Sequence, residues 1–283
     1  MRGTTGEVRT PWGDTMGGYI FDNAAERETE QRFGSLAALY DPRTIRFLEA
    51  TGVGAGWRCL EIGAGGGSIA TWLADRVGDT GRVTATDIDP RFLRALQSLG
   101  RPNVEVLRHD VTVDPLPEAS FDLIHARLVF IHLPGARAVL ARVATALRSG
   151  GWLVVEDFDP TFLADRAFPT ADPADAAIAR RAFAALEQLR ASRGVAPGWG
   201  RGLYQTFRAL GLMEVGMDGQ LAVHPGGGTG ARLFRANFTQ IRDAAIAAGL
   251  ITAAELDRML ALLDDPDFAL STPVMCTAWG HRP

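Results

Sequence analysis

Leu60-Glu61-Ile62-Gly63-Ala64-Gly65-Gly66-Gly67-Ser68 joins a short apolar run to a segment of helical periodicity. Glycine lets a backbone turn sharply and be approached closely, because no Cβ stands in the way. Outward from this run, short apolar stretches recur at 57–62, 82–86, 103–108, 121–126 and 152–156. Helical patterns fill 68–77, 90–99 and 136–148 between them. Strands separated by helices require crossover connections, so the pattern predicts an α/β fold with a doubly wound, mostly parallel sheet. Leu153-Val154-Val155 has the uninterrupted apolar character of a strand covered on both faces.

A glycine-rich turn between strand and helix suits several ligands. A dinucleotide fingerprint would place a third Gly or Ala where this chain has Ser68. Glu61 sits just before the turn, and its carboxylate disfavours a diphosphate and favours a cation. Asp87 closes the second apolar run 20 residues after Gly67, where a carboxylate can accept ribose hydroxyls. The absence of lysine argues further against a nicotinamide oxidoreductase that needs a Tyr/Lys pair.

The segment resembles motif I of the class I S-adenosylmethionine-dependent methyltransferases, acidic-x-Gly-x-Gly-x-Gly, with Glu61, Gly63, Gly65 and Gly67 at its fixed positions. The likeness runs on through Thr86-Asp87-Ile88-Asp89, Arg108-His109-Asp110-Val111, the run from Phe121 to Arg127, and Arg148-Ser149-Gly150-Gly151-Trp152, covering about residues 57–157. It implies a Rossmann-like sheet of seven strands, the last antiparallel, with 212–223 and 273–279 as strands six and seven. It also implies S-adenosyl-L-methionine as cofactor, S-adenosyl-L-homocysteine as product, and a small-molecule acceptor. The implied cofactor residues are Glu61, Gly63, Ala64, Gly65 and Gly67, then Asp87 and Ile88, Asp110 and Val111, and Ala126 and Arg127. Asp110 would read the adenine amino group and Val111 pack on the ring; a turn cap is the competing role for Asp110. Arg127 would contact cofactor or acceptor, or else pair with Glu61 or Asp157.

Ligands of such sheets lie beyond the carboxyl ends of the strands, where strand order reverses. That rule places the acceptor near His132, which follows the fourth strand and is the candidate general base at an ordinary imidazole pKa. His125 alternates to the other side of that strand and reads as buried structure. Tyr19, Phe130, Asp157, Phe158, Trp199 and Arg201 are the candidate acceptor-pocket residues. Tyr19 would close over the cofactor or merely staple the first helix. No metal ligand set is expected.

The expected organisation is a flexible stretch at 1–18, a helical lid at 19–56, a cofactor-binding core at 57–160 and an acceptor-binding part at 161–283. Within the lid, Phe33, Leu36, Leu39 and Tyr40 make one helical stripe, and Asp41-Pro42 signals the start of a second helix. HPGGGTG at 224–230 reads as a flexible connection. The part from 161 onward is rich in Phe, Leu and Met, which suits a medium-sized, partly apolar acceptor; the family resemblance implies natural-product tailoring, with O-methylation favoured over C or N. A cofactor-bound cyclisation without methyl transfer is the first alternative, and an NAD-dependent oxidoreductase the second.

All 29 basic residues of the 283 are Arg, and the formal charge is −4. Without lysine there is no Schiff-base, P-loop or kinase-type lysine chemistry. Mild acidity without runs of like charge argues against nucleic acid and anionic membranes as partners. Two distant cysteines, Cys59 and Cys276, fit neither a zinc site nor a disulfide framework. Short apolar runs and a start without a signal-peptide core lead to the expectation of a cytoplasmic protein, with a homodimer left open.

Overall fold

The computed structural model describes residues 26–162 and 173–283. The stretch expected to be flexible at 1–18, and Tyr19, lie outside the described residues. Helix α1 (Glu26–Ala50) leads into the alternating core β1 (Arg58–Ile62), α2 (Ser68–Val77), β2 (Arg82–Asp87), α3 (Pro90–Ser98), β3 (Val104–Arg108), β4 (Phe121–Arg127), α4 (Ala136–Thr145) and β5 (Leu147–Asp159). Beyond it come α5 (Pro173–Ser192), α6 (Leu203–Ala209), β6 (Met213–Gln220), β7 (Val223–Pro225), α7 (Thr229–Ala247), α8 (Ala253–Asp264), β8 (Ala269–Ser271) and β9 (Val274–His281).

Seven strands form one sheet in the order β3-β2-β1-β4-β5-β9-β6. β9 runs antiparallel to both neighbours and the pairs from β3 to β5 are parallel. This is the doubly wound, Rossmann-like sheet that the strand–helix alternation predicts. The order reverses between β1 and β4, so their carboxyl ends flank the crevice in which such sheets bind ligands.

Strand alternation distributes the core over both faces. Leu60, Ile62, Ile124, Ala126, Leu153 and Val155 face α4 and α6, whereas Cys59, Val83, Ala85, Leu123 and Val154 pack under α2 and Leu48 of α1. A separate apolar cluster joins α5, α7 and α8 through Phe183, Phe234 and Phe238.

Three expectations need correction. The segment expected as a lid forms, over its described residues, a single helix running through Pro42, not two. Its buried positions Arg32, Leu36, Tyr40, Thr44 and Leu48 recur every fourth residue, so one continuous stripe docks on the protein. Pro42 is exposed on the opposite side, and so is Ala38, whose carbonyl loses its helical partner there and can bind water. Second, part of the 224–230 connection is ordered as a strand: Val223–Pro225 pairs with Ala269–Ser271 in a small antiparallel sheet. Third, the fifth strand begins at Leu147, earlier than expected, and spans 13 residues.

Candidate functional site

The loop between β1 and α2 is held by its own backbone and by the next strand. Gly63, Gly65 and Gly67 have φ of 67°, 51° and 77°, in the left-handed region open to glycine. The Ala64 amide donates to the Thr86 carbonyl at 2.8 Å, and the Gly65 amide to Asp87 Oδ2 at 3.0 Å. Asp87 Oδ1 accepts the Asp89 amide at 3.0 Å. Burial raises the Asp87 carboxyl to about 6, with these amides pulling the other way. The Ile88 amide is a third backbone donor to this carboxylate, which keeps acceptor capacity for a hydroxyl. Asp89 caps α3 by accepting the Arg91 amide.

A cavity of about 390 Å³ opens above this loop, within the range of small-molecule sites. Glu61, Gly63, Ala64, Gly65 and Arg127 line it, so the structure brings these expected cofactor residues together. Asp87, Ile88, Asp110 and Val111 stand at the adjoining ends of β2 and β3 and do not line it, nor do Gly67 and Ala126. Asp110 Oδ1 accepts the Thr112 amide and hydroxyl, a turn-capping arrangement. Val111 and Ala126 are buried and Ile88 half-buried.

Lining residues that sequence reasoning did not assign to the site come from α1, α3 and the end of β4, and from Gly66, Ser68 and Ile69 at the start of α2. Phe33 of α1 covers the loop so closely that a Cβ on Gly65 would lie 2.8 Å from its ring. Its edge packs on Phe92 of α3, with ring centroids 5.0 Å apart. Arg91 and Arg94 share that wall. Leu128 adopts φ 57° and donates its amide to the Glu156 carbonyl at 2.7 Å. Strain of this kind in a non-glycine residue concentrates at working sites. Of those from α1, α3 and β4, only Phe33 left a signal, the helical stripe it belongs to; a strained φ has none.

Beneath the cavity lies a buried polar ladder. His125, fully enclosed, places Nδ1 at 2.7 Å from Glu61 Oε2 and Nε2 at 3.4 Å from Glu156 Oε2. Burial pushes its pKa down, but the two carboxylates outweigh burial and raise it to about 9, leaving an imidazolium at neutral pH. Glu156 also accepts from Thr44 of α1 and, at 2.7 Å, from Thr277 of β9. Arg127 donates to Thr44 Oγ1 at 2.9 Å and pairs with Asp41 of α1 at 2.8 Å. Its ion-pair partner is thus the lid helix, not Glu61 or Asp157.

The candidate acceptor residues gather at the end of β5. Phe130 and Trp199 are buried with ring centroids 6.2 Å apart. Trp199 donates to Asp157 Oδ2 at 2.7 Å. Phe158 packs edge-on against Tyr40 of α1, and Arg201 pairs with Asp159 at 3.0 Å, its side chain largely exposed. Burial lifts Asp157 to about 7, against the pull of Trp199. His132 lies buried in the single 3₁₀ turn after β4. The ordinary imidazole pKa expected for it is not found: burial, then Arg190 and Arg32, hold it well below 6.5, so its ring is neutral.

The donor set suits a cationic amino-acid nucleoside. Glu61 offers an anionic edge, the glycines permit close approach, and Asp87 keeps acceptor capacity for hydroxyls. Comparison with known proteins agrees. Residues 60–155 match a methyltransferase-domain family profile. Methyltransferase str3 of Strobilurus tenacellus is 34% identical over 162 residues, 56% of this chain and 54% of that one. Aklanonic acid methyltransferase DauC of Streptomyces sp. (strain C5) is 29% identical over 142 residues, 46% of this chain and 64% of that one. The chain therefore spans between half and two thirds of the length of these curated relatives. Phosphoethanolamine N-methyltransferase 2 of Haemonchus contortus, solved with S-adenosyl-L-methionine, superposes with a TM-score of 0.61 at 13% identity, over 96% of this chain and 61% of that one. Fold order, glycine loop and profile coincide on the same residues: over 60–155 the core of this chain is similar to the methyltransferase-domain family.

Proposed function

We propose that the protein transfers a methyl group from S-adenosyl-L-methionine to a medium-sized, partly apolar small molecule in natural-product tailoring, with oxygen the favoured acceptor atom. The observation that carries this is the cavity at the β1/β4 reversal point, floored by the glycine loop and edged by the Glu61 carboxylate. Glu61 and the β4-end backbone at Ala126 and Arg127 would hold the amino-acid end of the cofactor. Asp87, Ile88, Asp110 and Val111 would hold the adenosine. Bound there, the cofactor supplies an activated methyl with a neutral thioether as leaving group.

The chain's own part is placement and exclusion of water, which can supply several kcal/mol of rate enhancement. Phe130, Phe158 and Trp199 would give the acceptor side its apolar walls, and Asp157 and Arg201 its polar edge, although none of them lines the cavity described above. His132 would take a proton from the acceptor. A neutral imidazole of depressed pKa is a weak base, which fits an acidic hydroxyl better than an ordinary alcohol, while a carboxylate acceptor would need no base. The likeness to an aklanonic acid methyltransferase supports an acceptor of that kind. A cytoplasmic location belongs to the same proposal.

Calorimetry with S-adenosylhomocysteine and with NAD tests the cofactor. Binding of the first and not the second is expected, and the reverse would end the proposal. Mass spectrometry of an aromatic acid or phenol after turnover should show a gain of one methylene. An altered product of unchanged mass would instead point to cofactor-assisted cyclisation.

A further inference from the structure

Sequence reading treats His125 as inert structure, yet it is the centre of a continuous polar path from the cavity to the lid helix. Glu61, which lines the cavity, contacts its Nδ1; Glu156, behind it, contacts its Nε2. Thr44 of α1 donates to that same Glu156 oxygen. Arg127, also on the cavity wall, closes the ring by donating to Thr44 and pairing with Asp41 of α1. Thr277 of β9 satisfies the second Glu156 oxygen. Register explains the arrangement: Glu61 and His125 are direct partners in the β1–β4 pairing, and Arg127 is opposite Glu156 in the β4–β5 pairing.

Charge counting shows what the histidine contributes. The ring holds three carboxylates, from Glu61, Glu156 and Asp41, against the Arg127 guanidinium and the His125 imidazolium, so one negative charge remains beside the cavity. Without the imidazolium two buried carboxylates would face each other uncompensated, and one would take up a proton. Glu61 would then lose its orientation, and Glu156 its grip on Thr44.

We propose that His125 is a positioning residue that aims an ionised Glu61 at the cavity and, through Glu156 and Thr44, latches helix α1 over it, so that cofactor binding and lid docking are coupled. The inference rests on the proposed cofactor. It predicts positive coupling: a ligand cation that satisfies Glu61 tightens the same network that fastens the lid.

The full chain, labelled with ¹⁵N-histidine, tests the charge directly. His125, assigned by its loss in His125→Gln, should remain protonated until about pH 9. In parallel, calorimetry near neutral pH should show S-adenosylhomocysteine bound about tenfold more weakly by His125→Gln. Hydrogen exchange around Thr44 should be faster in that variant, and addition of S-adenosylhomocysteine should slow it in the wild type. A ring that titrates near 6.5, or a folded His125→Gln with wild-type affinity and wild-type exchange, overturns the proposal. Should His125→Gln fail to fold, Thr44→Ala takes its place: it removes only the latch, and unchanged exchange in α1 together with unchanged affinity is equally fatal. A wild-type chain that binds no S-adenosylhomocysteine refutes the proposed cofactor instead, while the histidine titration still reports the ladder.

Discussion

Gly63 shows how much one residue carries. It sits at φ 67°, and an added Cβ would run into Val129. Gly63→Ala combines backbone strain with overpacking and should cost about 1–3 kcal/mol of stability, read as a lower urea midpoint. A neutral result would mean that the loop can relax away from Val129. The glycine positions were legible because a left-handed turn restricts residue type. Leu128 was illegible because leucine there works against the local preference, and the Glu156 carbonyl that holds its amide lies 28 residues on in the chain. His132 was placed correctly after β4, but its depressed pKa comes from Arg190 and Arg32 on two other helices. No local pattern encodes that neighbourhood.

At the scale of elements, α1 is the instructive case. Asp41-Pro42 has the local signature of a helix start, yet the helix runs through it. The side chains on either side, Tyr40 and Thr44, are buried, and Asp41 holds Arg127, so tertiary contacts outweigh a penalty of roughly 3 kcal/mol for an interior proline. Pro42→Ala should therefore raise the Tm, with a gain of about 1–3 kcal/mol, since the restored amide can donate to Ala38 while the docked stripe is untouched. A lower Tm would show that the proline geometry is required at the lid. The α/β core was readable because each strand and helix is a continuous run of one period. β7 and β8 were not, being three residues long and defined only by their pairing.

For the whole molecule, titration sets the pH response. His125 is raised in the fold to about 9, so its contribution to stability is complete below 6.5 and is lost as pH climbs through about 9. Asp157, raised to about 7, and Asp87, raised to about 6, act in the same direction, because the folded state holds protons that the unfolded chain has released. His132 opposes them at the acid end: its folded pKa lies below 6.5, so the unfolded chain gains a proton the fold refuses. Calorimetry should find a loss of stability on the order of a few kcal/mol between the 6.5 reference and about pH 9. His125→Gln should flatten the alkaline limb. A Tm that rises across that interval would contradict the buried ladder.

What the sequence determined by itself was periodic or stereochemically restricted: the strand–helix alternation, the glycine turn, the acidic strand ends and the lack of lysine. These are local properties, because hydrophobic period and φ preference act between near neighbours in the chain. The tertiary structure decided the rest: the single lid helix, the partner of Arg127, the charge of His125 and the neutrality of His132. Each depends on burial and on charges from distant segments, and electrostatic energy in a low-dielectric interior is set by spatial distance, not by separation along the chain.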